Sequence, residues 1–153
     1  MLMVKNLMTK DVFTVSPEMS VKEAAKLLFE REISGLPVVD EQKRVIGMLT
    51  EKDIINMAMP GYLQEKQYQD FAYILDTGPF WKKAAEADQL KVADIMRKEV
   101  LCVTEDMSVP EVARLMISKG VRRIPVLRAK KLVGIIARAD IVKEIAKETG
   151  IIE

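Results

Sequence analysis

The sequence predicts an α+β fold of two repeats, each with the element order β-α-β-β-α, packed together pseudo-symmetrically. The first observation is an internal duplication, in which Asn6-Leu-Met-Thr-Lys-Asp-Val aligns with Asp94-Ile-Met-Arg-Lys-Glu-Val, 88 positions later. The second is that Leu36-Pro-Val-Val aligns with Ile124-Pro-Val-Leu in the same register. Self-similarity at a fixed spacing predicts a tandem duplication.

Each repeat is predicted to begin with a short strand and a helix. The first strands are predicted at 12–15 and 100–103. The helices that follow begin at Ser20 and Ser108, each with a glutamate three positions later, which is the capping-box pattern. Apolar residues at helical spacing behind each serine predict one buried face.

A hairpin and a second helix complete each repeat. Strands are predicted at 37–39 and 45–49 across the turn 40–43, and the second copy repeats this hairpin over 128–131. A final helix opens at Thr50 in the first copy and at Ala137 in the second. The predicted domains are therefore 1–59 and 92–153, joined by a connector at 60–91.

The connector is rich in aromatic residues. It holds six of the chain's eight aromatics, namely Tyr62, Tyr68, Phe71, Tyr73, Phe80 and Trp81. Gly78-Pro79 predicts a turn between two short helices. The rings either cover the seam between the copies or a dimer contact, or form a docking surface for a partner; the sequence leaves both open.

The composition argues against several classes of enzyme. The 153 residues are 49% apolar and 31% charged, as in an ordinary globular protein, and the net charge is only +1. There is no histidine, which removes the commonest general base and metal ligand. Cys102 is the only cysteine, so neither an intrachain disulfide nor a thiolate zinc cluster can form. Because the first residues contain no long apolar stretch, we expect a cytoplasmic binding or regulatory protein.

One pair of motifs resembles a known family. Ile33-Ser-Gly-Leu-Pro-Val-Val-Asp, followed by Val45-Ile-Gly-Met-Leu-Thr-Glu-Lys-Asp-Ile, is similar to a CBS domain, and both repeats share the pattern. Two such motifs in one chain resemble a Bateman module, whose copies pack around a cleft. The resemblance implies a sensor of an adenosine ligand, which is AMP, ADP or ATP, or in some members S-adenosylmethionine or a dinucleotide such as NAD. It also implies a homodimer, and an effector protein that is regulated in trans.

Thr50 and Asp53 are the strongest candidates for ligand contacts. They lie three positions apart, on one face of the opening helical turn. A carboxylate there can accept hydrogen bonds from both ribose hydroxyls, as an acidic residue does in dinucleotide folds, and the threonine hydroxyl can bond the sugar or a phosphate. The alternative is that Thr50 only caps the helix and Asp53 only complements its dipole.

The second copy departs from this pattern. Asp140 is retained, but Ala137 replaces the threonine and Arg138 follows it. Arg122-Arg123 stand where the first copy has Ser34-Gly35. If these arginines face the site, they favour a ligand with two or three phosphates; the alternative is that they are solvated surface residues.

The resemblance also implies an apolar slot for the adenine. Carried over, its residues are Val12, Thr14, Ile33, Ser34, Gly35, Leu36 and Pro37 in the first copy, and Val100, Cys102, Val121, Arg122, Arg123, Ile124 and Pro125 in the second. Because glycine allows a close backbone approach and arginine does not, the two sites are predicted to be inequivalent. The alternative for most of these residues is plain core packing.

Three other functions stay open. One is an interaction module without a ligand. Another is a nucleotide hydrolase that uses Asp53, Asp140 or Glu51, although no catalytic residue or metal-ligand cluster is evident. The third is nucleic-acid binding by a basic cluster, although this cluster does not resemble a recognised nucleic-acid motif. Its residues are Lys119, Arg122, Arg123, Arg128, Lys130 and Lys131.

Overall fold

The computed structural model describes residues 1–59 and 78–153, and contacts divide the chain into two units. The first-repeat unit contains Thr14–Asp40 and Ile46–Glu99. The second-repeat unit contains Met1–Phe13, Glu41–Val45 and Val100–Glu153. Each unit therefore combines the body of one repeat with a segment that precedes the other repeat in the sequence.

The described elements contain the predicted order α-β-β-α in both repeats, and the second repeat also has the predicted first strand. In chain order they are α1 (Val4–Leu7), α2 (Val21–Arg31), β1 (Gly35–Val39), β2 (Val45–Thr50), α3 (Glu51–Ala58), α4 (Gly78–Ala84), a 3₁₀ turn (Ala85–Asp88), α5 (Val92–Ile95), β3 (Val103–Thr104), α6 (Val109–Lys119), β4 (Arg123–Arg128), β5 (Lys131–Ala137) and α7 (Arg138–Glu148).

The first-repeat unit is built on the paired strands β1 and β2. Val15 joins β1 through a parallel bridge to Val38. The predicted cap of α2 is confirmed, since the Ser20 side chain accepts a hydrogen bond from the Glu23 N–H at 3.1 Å. The buried core of this unit contains Val15, Ala24, Leu28, Leu36, Val38, Leu49 and Val92.

The second-repeat unit contains a three-stranded sheet in the order β3-β4-β5. Strand β3 is parallel to β4, and β4 is antiparallel to β5. The Ser108 cap of α6 is also confirmed, with a hydrogen bond from the Glu111 N–H at 3.4 Å. The core residues of this unit are Val4, Val103, Val109, Val112, Met116, Ile124, Val126, Ile136 and Ile141.

Each of the two short helices α1 and α5 packs against the repeat that it does not directly precede in the sequence. The Val4 N–H donates to the Met107 carbonyl at 2.9 Å, which fastens α1 to the second repeat. Correspondingly, the Val92 N–H donates to the Met19 carbonyl at 2.8 Å, which fastens α5 to the first. Val4 and Val92 are both fully buried, so each supplies a core side chain to the repeat that it joins.

Two sequence predictions were wrong in detail. The strand predicted at 12–15 is reduced to the single bridge at Val15, and the strand predicted at 100–103 is only Val103–Thr104. Gly78-Pro79 lies within α4 rather than in a turn between helices. The other predicted connector helix lies outside the described residues, as do Tyr62, Tyr68, Phe71 and Tyr73.

The β4–β5 hairpin carries local backbone strain. Ala129 and Lys130 form its two-residue loop with φ angles of 49° and 68°. Such loops favour Asn-Gly because both positions need a positive φ. We expect Ala129→Asn combined with Lys130→Gly to raise the free energy of unfolding by about 1 kcal/mol. Urea denaturation measures this as a higher midpoint at an unchanged slope. Ala129→Val, the control, should lower the midpoint; an unchanged midpoint in the double variant would contradict the assignment of strain.

Gly134 in β5 leaves room for the segment that follows α1. A Cβ atom at this position would lie 2.7 Å from the Met8 sulfur and 3.0 Å from the Thr9 carbonyl oxygen. We expect Gly134→Ala to lower the free energy of unfolding by about 1–3 kcal/mol, since overpacking forces neighbouring atoms to move. Thermal melts of Gly134→Ala, Met8→Ala and the double variant form a cycle, and we predict that the two losses are less than additive. Strict additivity would show that the two residues do not compete for the same space.

Candidate functional site

Thr50 and Asp53 form a hydrogen-bonded turn at the start of α3. Asp53 Oδ2 accepts from the Thr50 N–H at 2.8 Å and from the Thr50 hydroxyl at 3.0 Å. The threonine hydroxyl therefore donates to the aspartate, whereas a simple N-cap would accept from a helix N–H. Within residues 1–59 and 78–153, no group donates to Asp53 Oδ1, and the residue is half-buried. Among these residues, Asp53 Oδ1 therefore retains its capacity to accept a hydrogen bond.

The second repeat reproduces this turn without the hydroxyl. Asp140 Oδ2 accepts from the Ala137 N–H at 2.8 Å, and Asp140 is also half-buried. The pairing of each carboxylate with the N–H three residues earlier thus follows the duplication. Because alanine has no side-chain donor, one hydrogen bond is lost, and the two turns are chemically inequivalent.

The same cap occurs at helices for which no ligand is predicted. Asp94 Oδ2 accepts from the Lys91 N–H at 2.8 Å at the start of α5, and Asn6 Oδ1 accepts from the Met3 N–H at 2.8 Å at the start of α1. Helix capping alone therefore accounts for the Asp53 contact with its own backbone. What distinguishes Asp53 and Asp140 is the chain segment beside them.

A backbone hydrogen bond holds that segment against each turn. The Glu51 N–H donates to the Ser34 carbonyl at 3.0 Å, and the Arg138 N–H donates to the Arg122 carbonyl at 2.9 Å. These bonds bring the residues at the start of β1 to the Asp53 turn, and those at the start of β4 to the Asp140 turn. Sequence reasoning missed this role of Glu51 and Arg138, because it uses main-chain atoms that no residue pattern identifies.

Burial separates the predicted slot residues into two groups. Leu36 and Ile124 are fully buried in the two cores, and Gly35, Pro37 and Pro125 are buried as well. Side chains with accessible surface belong to Thr14, Ile33 and Ser34 in the first-repeat unit, and to Val12, Val100, Cys102, Val121, Arg122 and Arg123 in the second-repeat unit. Only the second group has side-chain surface to offer to a ligand. Val12 belongs to a different unit from Thr14, although both were predicted for one slot.

The three arginines of the second repeat differ in their surroundings. Arg138 is anchored, because its Nε donates to the Val121 carbonyl at 3.1 Å while its backbone N–H bonds Arg122. Arg122 is exposed and Arg123 is half-buried. The exposed Arg138 side chain is thereby fixed at its Nε, beside the Asp140 turn.

Cys102 is a half-buried free thiol. Burial raises the pKa of its thiol, so the reactive thiolate is disfavoured at neutral pH. Its Sγ lies 3.8 Å from the Val100 carbonyl oxygen, as expected for a weak S–H donor. A neutral thiol of this kind can line an apolar slot.

Neither a metal cluster nor a membrane span is found in the described part of the chain. Residues 1–59 and 78–153 contain no group of three or more Cys, Asp or Glu side chains arranged to hold a metal ion. Over the same residues, no helix has the length and apolar character needed to cross a bilayer.

Comparison with known proteins links the chain to proteins with paired domains. A stretch of 135 residues, which is 88% of this chain, is 34% identical to an inosine-5'-monophosphate dehydrogenase of Methanocaldococcus jannaschii. The match covers only 22% of that enzyme. The CBS domain-containing protein CBSX2 of Arabidopsis thaliana is 28% identical over 92% of this chain and 62% of its own length. The chain thus spans less than two thirds of these relatives.

Solved structures share the whole fold. A crystal structure of CBSX2 in complex with AMP matches 97% of this chain and 99% of its own, at 26% identity and a TM-score of 0.74. The CBS domain pair of protein MJ0100, in complex with 5-methylthioadenosine and S-adenosyl-L-methionine, matches 96% and 98% at 25% identity and a TM-score of 0.70. The CBS domain family model matches residues 4–59 and 92–147, which are the two repeats. The chain therefore belongs to the CBS-domain family, as a tandem pair.

Proposed function

We propose that this protein is a non-catalytic regulatory module that binds AMP, ADP or ATP at the Asp53 turn, the Asp140 turn or both. The observation that carries the proposal is the pair of half-buried carboxylates, each with one oxygen bonded to its own helix and the other accepting no hydrogen bond from the described residues. The AMP-bound and S-adenosyl-L-methionine-bound relatives support an adenosine ligand. S-adenosylmethionine and NAD are further candidates because both contain the same adenosine group.

The chemistry of each turn suggests how an adenosine would bind. An aspartate oxygen accepts hydrogen bonds from the ribose hydroxyls, and the half-buried Ile33 and Ser34, or Val121 and Cys102, offer surface to the base. The N-terminus of a helix favours the phosphates. In the second repeat Arg138 adds a charge-assisted donor, so we propose that this site prefers a ligand with two or three phosphates.

Regulation, assembly and location belong to the same proposal. Ligand binding shifts an equilibrium only if the ligand has different affinities for two states. We propose that this shift is transmitted to an effector protein in trans by a cytoplasmic homodimer.

An interaction module without a ligand is the second candidate. It is favoured by two exposed apolar side chains at equivalent positions of the repeats, Phe29 on α2 and Ile117 on α6, which are 85% and 81% exposed. Large apolar side chains that are this exposed often mark protein contacts. The two candidates differ in whether an adenosine ligand stabilises the fold.

A thermal-shift panel separates the two candidates. It compares AMP, ADP, ATP, S-adenosylmethionine, NAD and GTP at one protein concentration. A specific ligand at about a hundred times its dissociation constant stabilises the folded state by about 2.7 kcal/mol. A shift with an adenosine ligand and none with GTP supports the sensor. No shift with any of them rejects it in favour of the interaction module, and release of inorganic phosphate from ATP would instead indicate a hydrolase.

A further inference from the structure

A cavity lies in the second-repeat unit, away from the Asp140 turn. It has a volume of about 550 Å³ and is lined by residues of the α1 segment, the end of β3, the end of β4 and β5. Strand β4 begins at Arg123, beside the Asp140 turn, and ends at Arg128 in this cavity. At the rise of an extended strand, the two ends lie roughly 17 Å apart. No lining residue of this cavity belongs to the proposed adenosine sites.

The lining is predominantly cationic. Lys5, Lys10 and Arg128 face one anionic residue, Glu105. Lys5 lies 3.4 Å from the exposed Asp106, just outside the lining. Among the described residues, Lys10 has no carboxylate within ion-pair distance. Two lysine ammonium groups are thus left with weak or no pairing at one opening.

Glu105 forms an ion pair with Arg128 and fixes the orientation of its guanidinium. Its two oxygens accept from Arg128 Nε at 2.5 Å and Nη2 at 2.8 Å, which is the two-bond geometry of a fixed guanidinium. The Glu105 side chain is only 16% exposed, whereas that of Arg128 is 66% exposed. A guanidinium has five N–H donors, so three remain for another acceptor.

The electrostatics of Glu105 agree with this geometry. The Arg128 hydrogen bond lowers the pKa of Glu105, and the positive charges of Arg128, Lys5 and Lys10 lower it further. All three cations of the cavity therefore lie near enough to interact with this one carboxylate.

The lining of the cavity also includes apolar residues, one of them in a β-bulge. The register of β4 and β5 passes from Val126–Gly134 to Leu127–Leu132, so Val133 is the extra residue of the bulge. Bulges of this kind redirect side chains and are common beside functional sites. Val133 and Met8 both line the cavity, so it offers apolar contact as well as cationic donors.

We propose that this cavity binds a phosphomonoester with a small organic group, through Lys5, Lys10 and the Glu105-oriented Arg128. The four charged lining residues sum to +2, which matches the charge of about −1.5 to −2 on a phosphomonoester at neutral pH. The volume lies within the usual range for small-molecule sites. A soluble metabolite and the headgroup of phosphatidic acid share this chemistry.

Two probes and two matched pairs of variants test the proposal. Isothermal titration uses glycerol 3-phosphate for the soluble source, and cosedimentation uses phosphatidylcholine vesicles with and without phosphatidic acid. Lys5→Gln with Lys10→Gln should weaken binding of the active probe about tenfold or more, since charge-assisted bonds are lost. Lys143→Gln with Lys147→Gln removes the same charge from exposed positions on α7 and should leave that binding within about twofold of wild type.

The outcomes are distinct. Saturable binding of either probe that fails in the first pair of variants and survives in the second supports the cavity and identifies the source. Binding of neither probe, or equal binding in both pairs of variants, overturns the proposal. Circular dichroism of each variant confirms that the fold is retained. The result does not depend on whether an adenosine ligand binds at Asp53 or Asp140.

Discussion

Replacement of Asp53 by alanine is expected to weaken AMP binding about 10- to 150-fold, the loss of a hydrogen bond between a charged acceptor and the ribose. The same change removes the acceptor of the Thr50 N–H and hydroxyl. We therefore also expect a loss of about 1 kcal/mol in the free energy of unfolding, typical of a helix cap. Isothermal titration measures the first effect, and urea denaturation measures the second.

Two control variants separate binding from folding. Asp94→Ala removes the same kind of cap from α5 in the same unit, so it should cost similar stability and leave AMP affinity unchanged. Asp53→Asn keeps an oxygen for the Thr50 N–H but loses the charge, so it should bind AMP weakly and remain nearly as stable as wild type. Wild-type affinity in Asp53→Ala would show that Asp53 is only a helix cap.

Leu36→Ala is expected to have the largest effect on stability, a loss of about 2–5 kcal/mol. Leu36 is fully buried in the core of the first-repeat unit, with 0% of its surface exposed. Removing its side chain leaves a cavity that the neighbouring strand and helix can only partly fill. Because native proteins are stable by only about 5–15 kcal/mol, this loss is a large fraction of the total. Chemical denaturation at constant slope measures it.

Ile33→Ala is the matched comparison for Leu36→Ala. Ile33 lies at the edge of the same core and is half-buried, so its truncation should cost less stability. It precedes Ser34, whose carbonyl bonds the Asp53 turn, so Ile33→Ala should weaken AMP binding more than Leu36→Ala does. A larger stability loss from Ile33→Ala than from Leu36→Ala would reverse this assignment of core and slot.

The repeat and its helix starts could be predicted because they depend on local pattern. Ser20 and Ser108 cap their helices as the spacing to Glu23 and Glu111 indicates. The exchange of α1 and α5 between the repeats could not be predicted, since Val4 and Val92 have no local feature that selects one core over the other. The first strand of each repeat was predicted to be longer than it is, for a related reason. Its β-branched residues favour a strand, but only Val15 and the pair Val103–Thr104 have a neighbouring strand to bond.

The site shows a similar division between side chain and backbone. The spacing of Thr50 and Asp53 correctly placed both groups in one turn. The pattern did not show that one Asp53 oxygen is already used by the Thr50 N–H. It also gave no means of separating Leu36 and Ile124, which are core residues, from their half-buried neighbours Ile33 and Val121, because all four are aliphatic.

A crystal structure of the protein grown with AMP tests the central claim most directly. We predict adenosine at one or both turns, with a ribose hydroxyl within about 3.2 Å of Asp53 Oδ1 or of the corresponding oxygen of Asp140. AMP bound elsewhere, for example with its phosphate at Lys5 and Lys10, would contradict the assignment of the adenosine sites. So would a structure from saturating AMP in which both aspartates bond only to their own helices.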